Sequence, residues 1–244
     1  MGADSTNKDV GVDLAAVARL LADGTRAGIC LALLDGRAWT ARELARYTGV
    51  APSTASEHLN LLVGGGLLAE ERQGRHRYVR LAGPKVAALI ESLAEIAPRG
   101  PARPASLGAA GRSRALGRAR LCYDHLAGAL GLAVTDALLA DGVIAWDPQP
   151  SLTRAGSAAL AEHGTALPTA SRRPLVRSCL DWTERRPHLG GAVGAAVCSH
   201  ALAAGWITRI GTSRALALTP AGRQAFTDRF HVPPDRLTSP DNGH

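Results

Sequence analysis

Residues 125–144, HLAGALGLAVTDALLADGVI, recur as residues 188–207, HLGGAVGAAVCSHALAAGWI, with 11 of 20 positions identical at an offset of 63. A duplication of this strength constrains the fold more than composition does. The second half of the chain must build two related units, and their packed interface hides surface that neither could bury alone. Each copy runs on to a further similarity, SLTRAG at 151–156 and ALTPAG at 217–222. Each reads as a helix, a short apolar helix ending in Gly, and a strand pair closing on Leu-Thr-x-Ala-Gly. Residues 113–230 are therefore expected to form one duplicated C-terminal domain, and the polar, Pro-containing stretch 231–244 a flexible tail.

The first hundred residues follow a different pattern. DLAAVARLLA (13–22) places apolar residues at helical spacing behind an Asp suited to capping. TRAGICLALL (25–34) repeats the pattern and stops at Asp35-Gly36. Thr40 with Glu43 forms a T-x-x-E capping box, and Gly49 ends the short helix that follows. Pro52 then fits the first turn of another helix, in which Leu59, Leu62 and Val63 form the buried stripe before Gly64-Gly65-Gly66. LLAEE and HRYVRL read as two strands joined across Gln73-Gly74, and Gly83-Pro84 opens a helix over about 84–97. Two short helices joined by a Gly-containing turn, then a basic hairpin, make a winged helix-turn-helix. The repeated C-terminal units, with GWITRI and SRALALT as a hairpin, resemble that architecture too. The fold class expected is mainly α with small β-hairpins (α+β).

The run TARELARYTGVAPSTASEHLNLL, then GLL, then RQGRHRYVRL, resembles the DNA-binding domain of ArsR-type regulators over residues 11–97. In that family an S-x-x-S-x-H-L helix enters the major groove, and Ser53, Ser56, His58 and Leu59 match it. The resemblance implies a homodimeric repressor bound to double-stranded operator DNA, and a cytoplasmic location is expected from the lack of a leader pattern and of a membrane-length apolar run. The helices at 13–22 and 84–97 are its expected dimer surface. Ser53, Thr54, Ser56 and Glu57 are the candidate base readers, and His58 is placed at a phosphate or the groove wall. Arg72, Arg75, His76 and Arg77 would reach backbone or minor groove from the wing. Thr40 and Arg42 would hold a phosphate at a helix start.

Charge agrees with an acidic partner. The chain carries a net charge of +7, while residues 1–98 balance 11 Lys/Arg against 11 Asp/Glu. The excess sits in 99–120, with six arginines and no acid. Residues 98–112 read as a basic Pro/Gly/Ala-rich linker. No basic-then-apolar leader and no long apolar run is present, so no membrane partner is expected.

The signal is less defined. The C-x-C of many ArsR-type metal sensors has no counterpart in ARELARY, and KVAALIESLAEIA lacks His. Elsewhere, Cys122 and His125 stand three apart on what reads as one helix, and Cys179 with Asp181 precedes His188, the repeat partner of His125. Thiolate, imidazole and carboxylate suit a transition metal, and the same cysteines suit a thiol switch. Cys30 reads as core, and Cys198 and His200 diverge on their helix. Trp146, Trp182 and Trp206 all lie in the C-terminal domain, where aromatics at a seam could line a small-molecule effector pocket. No P-loop, G-x-S-x-G or HExxH occurs, so the competing reading, an enzyme dimerised by its winged helix, has no catalytic set behind it.

Overall fold

The computed structural model describes residues 12–73, 76–98, 107–147, 149–168 and 173–237. They divide into two compact units, one within 12–32 and 38–82, the other within 33–37 and 83–237.

The first unit runs α1 (Leu14–Leu21), α2 (Gly24–Ala32), β1 (Trp39–Thr40), α3 (Ala41–Thr48), α4 (Pro52–Gly64), β2 (Leu68–Gln73) and β3 (His76–Leu81). Short polar side chains start the helices as their sequence suggests. Asp13 accepts the Ala16 amide at 2.9 Å, and Asp23 accepts those of Thr25 and Arg26. Thr40 and Glu43 complete the reciprocal capping box of α3, whose end at Gly49 takes the left-handed φ of 73° that favours glycine. Thr40→Ala is expected to cost about 1 kcal/mol, read as a lower midpoint in thermal unfolding. The three antiparallel strands lie in the order β1-β3-β2, with Leu68 opposite Leu81 and Gln73 opposite His76. Ile29, Leu44, Leu59, Leu62 and Val79 fill the core beneath.

The second unit opens with α5 (Pro84–Ile96) and α6 (Leu107–Arg118). The first repeat follows as β4 (Arg120–Cys122), β5 (His125–Ala127), α7 (Gly128–Ala140), β6 (Ile144–Ala145), β7 (Ser151–Leu152) and α8 (Arg154–Glu162). The second repeats it as β8 (Arg177–Leu180), β9 (Pro187–Gly190), α9 (Gly191–Ala203), β10 (Ile207–Arg209), β11 (Leu216–Leu218) and α10 (Pro220–Phe230). Each repeat is thus hairpin, helix, hairpin, helix. The strand pair expected after the apolar helix is present in both repeats, as β6–β7 and β10–β11, but a hairpin stands where a first helix was expected. β7 and β11 end on Leu152 and Leu218 of the Leu-Thr-x-Ala-Gly segments, and Thr153 and Thr219 then cap α8 and α10, each accepting the amide of Gly156 or Gly222 at 2.9 Å. Any Cβ on those two glycines would run into the carbonyls of Val143 and Trp206, which explains why the motif ends in Gly. α7 and α9 are mostly apolar and supply most of the buried centre, leaving Asp136 and Ser199 toward the surface.

Three expected boundaries move. α5 belongs to the second unit rather than to a domain ending at 97, and its buried Glu91 meets Arg214 of that unit at 2.9 Å. The linker expected over 98–112 is helical from Leu107, while 99–106 lie outside the described residues. The tail is not free from 231: Val232 and Leu237 are buried in the core, and Arg223 donates to the Leu237 carbonyl. Residues 238–244 lie outside the described residues.

Candidate nucleic-acid interface and a paired Cys–His cluster

α4 is seated by Ala55, Leu59 and Leu62, all 0% exposed. That stripe turns Ser53 and Glu57 fully outward, with Thr54 and Ser56 half-buried at the edges. Ser56 donates back to the Pro52 carbonyl at 2.9 Å. His58 is mostly buried and turned to the start of α2, 3.8 Å from Asp23 and 3.5 Å from Arg26. Thr40 is likewise engaged within its capping box rather than offered to a phosphate, while Arg42 is exposed. On the hairpin, Arg77 donates to Asn60 of α4 at 2.8 Å and pairs with Glu70 at 2.6 Å, so it braces wing against helix. Arg72 stays exposed beside Glu70 at 3.4 Å. His76 opens β3 opposite Gln73. Arg75 lies outside the described residues.

In the second unit the four first-hairpin residues Cys122, His125, Cys179 and His188 converge, their ligand-type atoms all within 4.8 Å of one another. The geometry differs from the expected helix face. Cys122 and His125 are cross-strand partners in β4–β5, and Cys179 and His188 are cross-strand partners in β8–β9. The Cys122 and Cys179 sulfurs are 3.8 Å apart, and the two Nε2 atoms 3.1 Å apart. Each imidazole turns its Nδ1 to a carboxylate, His125 to Asp124 at 3.3 Å and His188 to Asp181 at 3.9 Å.

Asp181 therefore stands behind the cluster, and His188 takes the place expected for it. Asp181 is spent on a fully buried pair with Arg120 at 3.0 Å and on the Gly128 amide at 2.7 Å. Burial raises its pKa, but the Arg120 guanidinium, the Thr183 hydroxyl and the Gly128 amide outweigh that and hold it well below the usual carboxylate range. Between the thiols, the hydrogen bond to Cys179, with burial, pushes Cys122 up to about 12, while the same bond holds Cys179 below its ordinary value. Cys30 and Cys198 are raised by burial to about 11 and about 12, as core thiols.

None of the three tryptophans lines the cleft over the cluster. Trp206 is 7% exposed and packs on Phe226 and Phe230, Trp182 lies under Arg120 at 5.0 Å, and Trp146 packs on the core. The cleft of the unit, about 820 Å³, instead opens over the Cys–His cluster and is lined also by Glu91, Glu95 and Arg177. Glu95 is raised by burial and by the neighbouring Glu91. Among the described residues no helix is long and apolar enough to cross a membrane.

An outward polar helix braced against an arginine-bearing β-hairpin defines a winged helix-turn-helix DNA-binding protein. A helix-turn-helix domain family model matches residues 21–71. YdfF of Bacillus subtilis (strain 168), an uncharacterized HTH-type transcriptional regulator, is 38% identical over 223 residues, 90% of this chain and 98% of its own. The chain belongs to this family of HTH-type transcriptional regulators, and the ArsR-type resemblance stands with it. The HTH-type transcriptional regulator CmtR of Mycobacterium tuberculosis (strain ATCC 25618 / H37Rv) is 37% identical over 83 residues, 34% of this chain and 70% of its own. A homodimeric winged helix-turn-helix DNA-binding domain from Mycobacterium bovis, solved by NMR, is 35% identical with a TM-score of 0.34, covering 38% of this chain and 86% of that one. Membership displaces the reading in which the winged helix only dimerises an enzyme.

Proposed function

We propose that this regulator is a cytoplasmic homodimeric repressor that reads operator DNA through α4 and is released by a signal received in the C-terminal unit. The observation that carries the DNA-reading part is the outward Ser53 and Glu57 on a helix whose opposite face is fully buried. Short polar side chains there can approach base edges, while Arg42 and Arg72 remain available for phosphates. One such helix covers a short half-site, so two copies are needed to span adjacent turns of the duplex. Exposed apolar side chains suit that pairing: Leu14 on α1 is 72% exposed, and Ile96 on α5 is 81% exposed.

Fluorescence anisotropy with the protein's own upstream DNA tests the reading. Binding is expected to fall steeply with salt, and Arg72→Ala should reduce the slope of log K against log salt by about 1 without changing sequence preference. Ser53→Ala with Glu57→Ala should instead narrow the gap between operator and unrelated DNA. Equal affinity for both DNAs in the unaltered protein would refute sequence-specific reading. A monomer in sedimentation, with and without DNA, would refute the dimer.

A further inference from the structure

We infer that Cys122, His125, Cys179 and His188 form a tetrahedral S₂N₂ site for a thiophilic d¹⁰ divalent cation of the zinc and cadmium class. Three independent features point there.

The first is the size of the cluster. With metal–sulfur bonds of about 2.3 Å and metal–nitrogen bonds of about 2.0–2.1 Å, a regular tetrahedron has S···S and N···N edges of about 3.8 and about 3.3 Å. The observed edges are 3.8 Å and 3.1 Å. The remaining separations lie within 4.8 Å, against about 3.6 Å for the sulfur–nitrogen edges of that tetrahedron, so the side chains must close by up to about 1 Å on binding.

The second is the orientation of the imidazoles. Asp124 and Asp181 lie on the Nδ1 side of the two rings, at 3.3 and 3.9 Å, so each ring turns its Nε2 into the cluster. The two Nε2 atoms face one another across 3.1 Å, where both rings are buried. Without a metal the two nitrogens share one N–H, and a cation would use both as ligands instead. His188 Nδ1 has no hydrogen-bond partner within bonding distance, so a rotation of that ring breaks no bond at Nδ1.

The third is access. Cys179 is only partly buried, and the cleft of about 820 Å³ leads directly to the cluster. A cation has an entry path, which a fully sealed core would deny it. A disulfide is the poorer use of the same thiols. It needs sulfurs about 2.05 Å apart, against 3.8 Å here, and makes no use of the two facing nitrogens.

As a signal for the regulator, this site rests on the reading in the preceding subsection. The reduced, chelator-treated full chain is titrated with Cd²⁺ and with Co²⁺. One equivalent per chain is expected, with thiolate-to-cadmium charge-transfer absorption and the visible bands of tetrahedral cobalt. Bound Cd²⁺ should shield Cys122 and Cys179 from alkylation, read by peptide mass spectrometry on the unaltered protein. Cys179→Ser and His188→Asn should each weaken binding beyond the roughly 10–100-fold that loss of an outer partner costs, and Cys198→Ser should leave it unchanged. Absence of stoichiometric binding by the unaltered chain overturns the site, as does full binding by the Cys122→Ser/Cys179→Ser double variant. Operator affinity should differ between metal-free and cadmium-loaded protein by about 5–150-fold. Equal affinity removes the site's regulatory role. No DNA binding in either form counts against the operator reading and leaves the metal titration to stand by itself.

Discussion

Asp181→Ala is expected to destabilise the C-terminal unit by about 3–5 kcal/mol. Its partner Arg120 has no solvent exposure, and neither does Asp181 itself. Without the carboxylate, the guanidinium keeps only the Leu116 carbonyl at 3.3 Å, the Thr183 hydroxyl at 3.2 Å and the face of Trp182. None of these carries a compensating charge. The cost therefore comes less from losing an attraction than from stranding a cation away from water. The Gly128 amide, at the start of α7, loses its acceptor as well. Asp181→Asn should fall between the two, because it restores an acceptor but no charge. Urea unfolding followed by circular dichroism measures both. A loss under about 1 kcal/mol for the Ala variant would mean that water reaches Arg120.

Leu59→Ala should cost the first unit about 2–5 kcal/mol, the range for emptying a fully buried leucine site. Leu59 is 0% exposed at the middle of the stripe that seats α4, flanked by Ala55 and Leu62 at 0%. The outer face of α4 keeps every polar group, yet its position on the domain is no longer fixed. Operator affinity should therefore fall although no DNA-facing side chain has changed. Leu61, 52% exposed on the same helix, is the control, and its Ala variant should shift the melting point little. Thermal melts and anisotropy on both variants decide between seating and surface chemistry.

The first unit was largely legible from the chain. Its helices are punctuated by Asp13, Thr40, Gly49 and Pro52, and local signals of that kind act within one turn. What escaped were side-chain commitments across the fold. Nothing local shows that His58 turns to Asp23, or that Arg77 is held by Asn60, 17 residues earlier. In the second half the duplication was visible but its elements were misread. Cys122 and His125 sit three apart, a spacing that fits one helical face as well as a two-residue hairpin turn. The apolar periodicity nearby favoured the helix. Asp181 attracted attention as a carboxylate near Cys179, while His188 appeared only as a repeat partner. Cross-strand register, which sequence spacing alone does not set, reverses their roles. The Trp residues were collected by sequence neighbourhood, and packing scattered them.

The register also explains why the equivalence of the cysteines was hidden. His125 and His188 are offset by 63 residues, but Cys122 and Cys179 by 57, because residues 180–187 separate Cys179 from His188 where only Tyr123 and Asp124 separate Cys122 from His125. Each ancestral copy thus brings one sulfur and one nitrogen, half of what a four-coordinate centre requires. Carrying both halves on one polypeptide makes assembly of the quartet independent of chain concentration. The two turns differ in length, yet each sets a carboxylate beside its own imidazole, Asp124 from the short one and Asp181 from the long one.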